Sequence, residues 1–405
     1  MTKTEQVAQL YAQNVIPTYQ QSLVLVKGKG TRVWDADGHV YLDFSSGIAT
    51  TGTGHCHPKV VAAIREQAGT LMHVSNLFYT EIQGRLAEKL AALAGGGKCF
   101  FCNSGAEANE ALIKLARLYG KAAKRFEIIS MNNSFHGRTL ATLAATGQTK
   151  YQSGFEPMPK GFVQAPFNDL EAVKALVTDK TAGILVEAVQ GEGGVIPADP
   201  AFLQGIRALC DEKNILMLCD EVQCGLGRTG AWFGFEAAGV KPDAFSLAKS
   251  LGGGLPMGAI VASPKVADVF QPGKHASTFG GNPVAAAAAL AMLGVIEEEK
   301  LLARATEAGA RLRAGLEALI GKYEHVKSVR GAGLLLGLVL DQPAKPIVES
   351  LRGMGVLALA TGENVIRLLP PLTVKDAEID EALDIIEDAV AEAHGVKRPH
   401  DDDEG

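Results

Sequence analysis

The chain has 405 residues, 47% of them hydrophobic and 21% charged, with a formal net charge of −6. That is an ordinary globular composition, long enough for two unequal domains, and with no basic run interleaved with aromatics it argues against a general nucleic-acid binder. Met1–Leu10 is polar and lacks a signal peptide's apolar core, no stretch is long enough to span a bilayer, and six cysteines in a chain this long do not make a disulfide framework, so a reducing, cytoplasmic setting is expected, with no membrane partner.

Lys29–Phe44 predicts a hairpin, in which Val33, Trp34, Val40, Tyr41 and Leu42 flank the turn Asp35-Ala36-Asp37-Gly38. His55-Cys56-His57 reads as a turn before Pro58, because adjacent side chains diverge and rarely chelate one ion. From Pro58 onward helices alternate with short apolar runs at Lys98–Cys102, Glu127–Ser130, Gly183–Val186, Ile215–Cys219, Ala244–Leu247 and Ala259–Ala262. Strands alternating with helices predict a mostly parallel sheet with helices on both faces. Cys99 and Cys102 have CxxC spacing but no second pair at zinc-like spacing, so they read as part of a buried strand and no metal site is expected. The alanine-rich stretch Val284–Ile296 predicts a buried helix. A charged helix around Arg311–Leu319 and strands at Leu334–Leu340 and Val365–Leu369 belong to a smaller C-terminal unit, and the acidic run Asp401–Glu404 reads as a solvated end.

Three places carry chemistry. Ser246–Gly254 runs from an apolar strand into Lys249 and then a glycine-rich turn; a lysine walled by apolar residues offers the neutral amine needed to form an imine, with an exposed loop lysine as the alternative. Asp220 and Glu221 end the apolar run Ile215–Cys219, at the strand edge where open α/β sheets place ligands; a carboxylate there can keep a pyridine nitrogen protonated, or simply cap a turn. Ser104 and Glu107 have capping-box spacing at the start of a helix whose Ala108, Ala111, Leu112, Leu115 and Leu118 share a face, and that start is either a phosphate cradle or an ordinary helix N-terminus. Gly225-Leu226-Gly227-Arg228-Thr229-Gly230 matches GxGxxG, but four residues separate it from the preceding strand and no clear helix follows, so it does not read as a nicotinamide site.

Six motifs stand in one order: Asn103-Ser104-Gly105-Ala106-Glu107-Ala108-Asn109, Ser134-Phe135-His136-Gly137-Arg138-Thr139, Gln190-Gly191-Glu192-Gly193-Gly194, Asp220-Glu221-Val222-Gln223, Lys249 with its glycines, and Ser277-Thr278-Phe279-Gly280-Gly281-Asn282-Pro283. Together, over about Val15–Ala391, the chain resembles the class III pyridoxal-phosphate-dependent aminotransferases of fold type I, and within them the acetylornithine subgroup. The resemblance implies an α/β fold: a large cofactor-binding domain over 56–285 with a mostly parallel sheet, a smaller α+β domain over 286–395 joined by the N-terminal segment 1–55, and a disordered tail over 396–405.

It also implies roles. Lys249 would hold pyridoxal 5′-phosphate as a Schiff base and shuttle the proton, with Asp220 on the pyridine nitrogen, Gln223 on the ring hydroxyl and Phe135 on the ring face. Ser104, Gly105 and Ala106 would form the phosphate loop, and Thr278 would reach the cofactor phosphate of a neighbouring subunit, implying a homodimer with shared sites. Arg138 would hold the substrate carboxylate, with Ser277 and Tyr19 in the substrate pocket and Glu192 with Arg367 as a gating pair. The implied reaction moves the δ-amino group of N2-acetylornithine to 2-oxoglutarate, giving N-acetylglutamate 5-semialdehyde and glutamate, as in arginine biosynthesis. Phe135-His136-Gly137-Arg138 favours the acetylornithine subgroup over the ornithine one, which tends to carry a second bulky aromatic at the position of His136. Succinylornithine, 4-aminobutyrate or ornithine as donor, or a glutamate-1-semialdehyde type of mutase, are the alternatives.

Overall fold

The computed structural model describes residues 1–395, so the acidic run at 401–404 lies outside the described residues. The central sheet has seven strands, in chain order β1 (Lys98–Cys102), β2 (Glu127–Met131), β3 (Phe162–Ala165), β4 (Thr181–Glu187), β5 (Leu216–Asp220), β6 (Ala244–Leu247) and β7 (Gly258–Ala262). Across the sheet the order is β1-β7-β6-β5-β4-β2-β3. From β6 to β3 every neighbour is parallel, while β7 runs antiparallel to both β6 and β1.

The sheet is covered on both faces, which is why β4 and β5 read as continuous apolar runs rather than alternating ones. Leu216 and Leu218 of β5 pack with Ala108, Ala111, Leu112 and Leu115 of the helix Gly105–Tyr119. Met217 and Cys219, pointing the other way, pack with Ile206, Leu209 and Cys210 of the helix Pro200–Lys213. The edge strand β3 gives no clear sequence signal: it has four residues, three of them only partly buried. Cys99 and Cys102 lie on β1, an edge strand of which only Phe101 and Cys102 are fully buried, and burial pushes both thiols up to about 12.

The N-terminal hairpin forms from Arg32–Asp35 and Val40–Asp43, with Val33 opposite Tyr41. Asp35 Oδ1 closes its turn by accepting from the N–H groups of Asp37 (3.0 Å) and His39 (2.8 Å). Leu25–Lys29 adds a strand on one side, and Val356–Leu357 adds one in parallel on the other. His55 and His57 diverge: His55 Nε2 lies 2.7 Å from Asp43 Oδ2, and His57 Nε2 lies 3.2 Å from Glu299 Oε1.

The alanine-rich helix runs Pro283–Glu298, capped by Asn282, whose Oδ1 accepts from Ala285 N at 3.0 Å. The charged helix is Leu301–Glu317, starting well before the expected Arg311. Leu301, Ala305, Ala308, Leu312 and Leu316 are its buried face, and the small alanines in its first turns hide that periodicity in the sequence. Beyond it, Val326–Ala332, Leu335–Leu340, Val365–Leu368 and Leu359–Thr361 form an antiparallel sheet in that spatial order.

The segment 225–230 is a turn, not a helix start: Leu226 N donates to Trp232 O at 2.6 Å and Gly227 N to Ala231 O at 3.1 Å. Arg228, 2% exposed, joins this turn to the C-terminal sheet. Its guanidinium donates to the carbonyls of Leu334 and Pro370, and its own carbonyl accepts from Leu334 N at 2.9 Å. Burial lowers the guanidinium to about 10. Among the described residues no helix is long and apolar enough to cross a membrane.

Candidate active site

The carboxyl ends of the parallel strands open into one cavity of about 460 Å³. β1 delivers Asn103, Ser104, Gly105 and Ala106 to it, β4 delivers Glu187, β5 delivers Asp220, and β6 delivers Ala248 and Lys249. The chain after β2 supplies Phe135, His136, Gly137 and Arg138, and Gln223 and Glu192 complete the polar lining. Nine of the site residues expected from the sequence therefore meet at one place: Ser104, Gly105, Ala106, Phe135, Arg138, Glu192, Asp220, Gln223 and Lys249.

Lys249 leaves β6 through Ala248 and takes up a left-handed backbone (φ 48°) at the head of a short turn, Lys249–Gly252. That conformation costs a non-glycine residue of the order of 1–3 kcal/mol, so its surroundings must hold it. Leu251 N donates to Ala248 O at 3.0 Å and Ser250 Oγ to Ala49 O at 2.9 Å. Burial lowers the Lys249 amine to about 8 and Arg367 adds to that, while Glu192, Asp220 and Glu187 oppose it.

Both oxygens of Asp220 are held. Oδ1 accepts from Val222 N at 3.0 Å, and Oδ2 from Asn109 Nδ2 at 2.7 Å and His136 Nδ1 at 2.8 Å. Behind it, Glu221 faces the other way, accepting from Gly234 N (2.7 Å) and Phe235 N (3.0 Å); burial raises its carboxyl to about 7 despite those bonds.

At the helix start, Glu107 N donates to Ser104 Oγ at 3.2 Å, while the Glu107 carboxylate reaches back to Asn103 N at 2.6 Å. The capping box is thus shifted by one residue, because Glu107 turns to the end of β1. A Cβ on Gly105 would lie 2.8 Å from Val222 Cγ1, so glycine lets the helix start press against the segment that follows Asp220. The first-turn N–H groups of this helix point along its axis into the cavity region and carry the positive dipole end.

Arg138 is exposed at the cavity, makes no ion pair with any described residue, and stacks over Tyr151 at 4.2 Å and Phe135 at 5.5 Å. Gly137, beside it, has φ 140°, and a Cβ there would meet Thr142 Oγ1 at 2.6 Å and Ala106 Cβ at 2.8 Å. Gly137→Ala is expected to lower unfolding free energy by about 1–3 kcal/mol, through strain and overpacking together; urea denaturation of the two proteins checks it.

Arg367, from the C-terminal sheet, pairs with Glu192 Oε1 at 2.6 Å and donates to Gln223 Oε1 at 3.0 Å. Burial alone would raise the Glu192 carboxyl, but Arg367 and Lys249 hold it below its ordinary value. Ser277 lies outside this cavity, in a recess with Asn76, Phe100 and His275, and its Oγ accepts from Asn103 Nδ2 at 3.3 Å. Thr278 is exposed, and Tyr19 is 73% exposed on the N-terminal segment; neither lines the cavity of the single chain.

Sequence reasoning assigned no role to Glu187, Asn109 or His136. Glu187 ends an apolar strand just as Asp220 does, so the same signal was present. Its Oε2 accepts from Phe135 N at 3.3 Å, and burial, with Asp220 nearby, drives its carboxyl well above the usual range. Asn109 could be found as the one polar residue amid Ala108, Ala111 and Leu112 on the buried helical face.

The family model for aminotransferase class-III matches residues 14–390. The acetylornithine aminotransferase of Gloeobacter violaceus is 51% identical over 391 residues, covering 95% of this chain and 98% of that one. That of Methanocaldococcus jannaschii is 52% identical over 373 residues, covering 91% and 94%. Among solved structures, the ornithine aminotransferase of Toxoplasma gondii superposes with a TM-score of 0.94 at 35% identity, covering 98% of this chain and 96% of that one. A second structure of that enzyme has partial occupancy of PLP at its active site. The acetylornithine aminotransferase of Elizabethkingia anophelis superposes with a TM-score of 0.86 at 34% identity, covering 96% and 100%. With the match running through every strand that feeds the cavity, this chain belongs to the class III aminotransferases.

Proposed function

We propose that the chain is an acetylornithine aminotransferase that uses pyridoxal 5′-phosphate. One observation carries the cofactor reading: a single cavity brings together an amine lowered by burial (Lys249), a hydrogen-bonded carboxylate (Asp220) and a helix N-terminus opened by Gly105. This donor set fits the cofactor's aldehyde, ring nitrogen and phosphate in turn, and the volume suits a group of its size. Lys249, Asp220, Gln223 and Phe135 would hold the ring, with Ser104, Gly105 and Ala106 at the phosphate. Bound there, pyridoxal phosphate supplies an aldehyde that condenses with amines and a ring that takes up the electron pair left on the substrate carbon.

The chain's own residues do the rest. Nζ of Lys249 would accept the proton from the donor's amino-bearing carbon and deliver it to the carbon that was the cofactor's aldehyde, work that suits an amine titrating near the operating pH. Arg138 offers a free guanidinium fork to the donor's α-carboxylate. Arg367 is neutralised by Glu192 while an amine-ended donor is bound; release of that pair frees a second fork for the two carboxylates of 2-oxoglutarate.

A homodimer also fits. Asn76 Nδ2 donates to the carbonyls of Ser277 (2.8 Å) and Gly280 (3.0 Å), joining two segments that expose Leu77, Phe78, Tyr79 and Phe279 on one surface. A second copy seated there would meet Thr278 and cover that apolar area.

The test is a transamination panel with 2-oxoglutarate as acceptor and acetylornithine, succinylornithine, ornithine and 4-aminobutyrate as donors. Acetylornithine is expected to lead in kcat/KM. A lead for another donor overturns the substrate assignment, and turnover without any 2-oxo acid overturns the aminotransferase cycle.

A further inference from the structure

Asp220, Asn109 and His136 form a closed ring of hydrogen bonds drawn from three distant parts of the chain. Asn109 Nδ2 donates to Asp220 Oδ2 at 2.7 Å and to the carbonyl of His136 at 2.8 Å, and His136 Nδ1 meets the same Asp220 oxygen at 2.8 Å. The imidazole is completely buried and the Asp220 side chain is 4% exposed.

The chemistry of the partners fixes the orientations. Turned the other way, the Asn109 amide would set its oxygen against a carboxylate and a carbonyl, so the donor must face them. Asp220 Oδ2 already accepts from that amide, so His136 Nδ1 is the atom that carries hydrogen between the ring and the carboxylate. Asn109 Oδ1 and His136 Nε2 are buried and meet no hydrogen-bond partner among the described residues. Asn109 and His136 thus each present a hydrogen to Asp220 Oδ2, and Asn109 presents its second to the carbonyl of His136.

We infer that His136, braced by Asn109, is a positioning residue for Asp220: it fixes the carboxylate that faces the ring nitrogen of pyridoxal phosphate, and so governs cofactor affinity and the first half-reaction rather than the choice of donor. The inference rests on the cofactor reading above. His136 also ties that carboxylate to the substrate end, since Phe135 and Arg138 flank it in the same peptide, and a shift of the His136 backbone would displace both.

The test compares apo wild type, His136→Phe and His136→Asn. Phenylalanine fills the space without a donor, whereas an asparagine amide nitrogen falls close to where Nδ1 stood. Titration with pyridoxal phosphate, read by absorbance and by protein fluorescence, gives Kd. Single-turnover reaction with acetylornithine gives the rate at saturation and the half-saturating concentration. His136→Phe is expected to raise the cofactor Kd about tenfold and slow the saturated half-reaction about tenfold, the loss of one charge-assisted bond. It should shift the bound cofactor's absorbance band and leave half-saturation by acetylornithine unchanged. His136→Asn should restore most of each, and thermal melting of the apo proteins should show both variants folded.

Wild-type cofactor affinity and absorbance in His136→Phe overturn the inference. So does an altered half-saturation with an unaltered cofactor Kd, which would make His136 a donor-selecting residue. Equal losses in the two variants, with equally lowered apo melting, would reduce it to a space-filler and overturn the inference as well. A wild-type chain that takes up no pyridoxal phosphate overturns the cofactor reading and, with it, this one.

Discussion

Lys249→Ala will lower transamination by more than about 10³-fold. General acid–base work by a placed side chain is alone worth about 10²–10⁴, and the proposed cofactor would attach to the same amine. Folding prepares both roles. Burial brings the amine to about 8, so at neutral pH a useful fraction is unprotonated, and the left-handed backbone at this one position turns the side chain off the end of β6 into the cavity. Borohydride treatment followed by peptide mass spectrometry separates attachment from turnover. Wild type should carry the cofactor covalently on the Lys249 peptide, and the alanine variant should carry none. Retained turnover, or reductive labelling on another lysine, would remove Lys249 from the chemistry. Because unprotonated amine is the reactive form, covalent capture by the apo chain should speed up as pH rises toward about 8 and level off above it.

Arg138→Ala will lower kcat/KM for acetylornithine by about 10²-fold, near 3 kcal/mol, the scale of leaving one member of a desolvated ion pair without its partner. The guanidinium is preset for this: it stacks on Tyr151 and Phe135, pairs with no carboxylate among the described residues, and stands on a segment that Gly137 allows to press on Ala106. Arg138→Lys should recover only part of the loss, since an ammonium is a point charge and cannot present a planar fork. An amine donor without a carboxylate separates binding from chemistry, and its rate should be nearly unaffected by either change. An equal loss with that donor would mean that Arg138 supports the site's shape and does not hold substrate.

Much of this was legible in the sequence because it lies in local patterns. Apolar runs marked β1, β2, β4, β5, β6 and β7, and residues at their carboxyl ends, Asp220 and Lys249, were marked by position alone. The Ser104–Glu107 spacing marked the helix start. What was not legible depends on partners far away in the chain. Asn109 meets Asp220 across 111 residues, and nothing in either neighbourhood encodes that distance. Glu187 carries the same local signature as Asp220 and yet is driven the opposite way from Glu192, because it is buried beside Asp220 while Glu192 has Arg367. The one-residue shift of the capping box likewise follows from where β1 ends. Tyr19, Ser277 and Thr278, whose roles come from the family resemblance, lie away from the cavity of one chain.

The ties made by Arg228 and Arg367 bear on the order in which the protein can be built. Arg228 reaches Leu334 across 106 residues and Pro370 across 142, and Arg367 reaches Gln223 across 144 and Glu192 across 175. A nascent chain that has just extruded Lys249 already owns Asp220 and the helix start at Gly105 as well, yet the guanidinium at 228 still waits for carbonyls not yet synthesised. Contacts so distant in sequence close late and slowly. Lys249 is therefore translated long before Arg367, and the setting that lowers its amine, to which Arg367 contributes, is complete only once the C-terminal strands have been made.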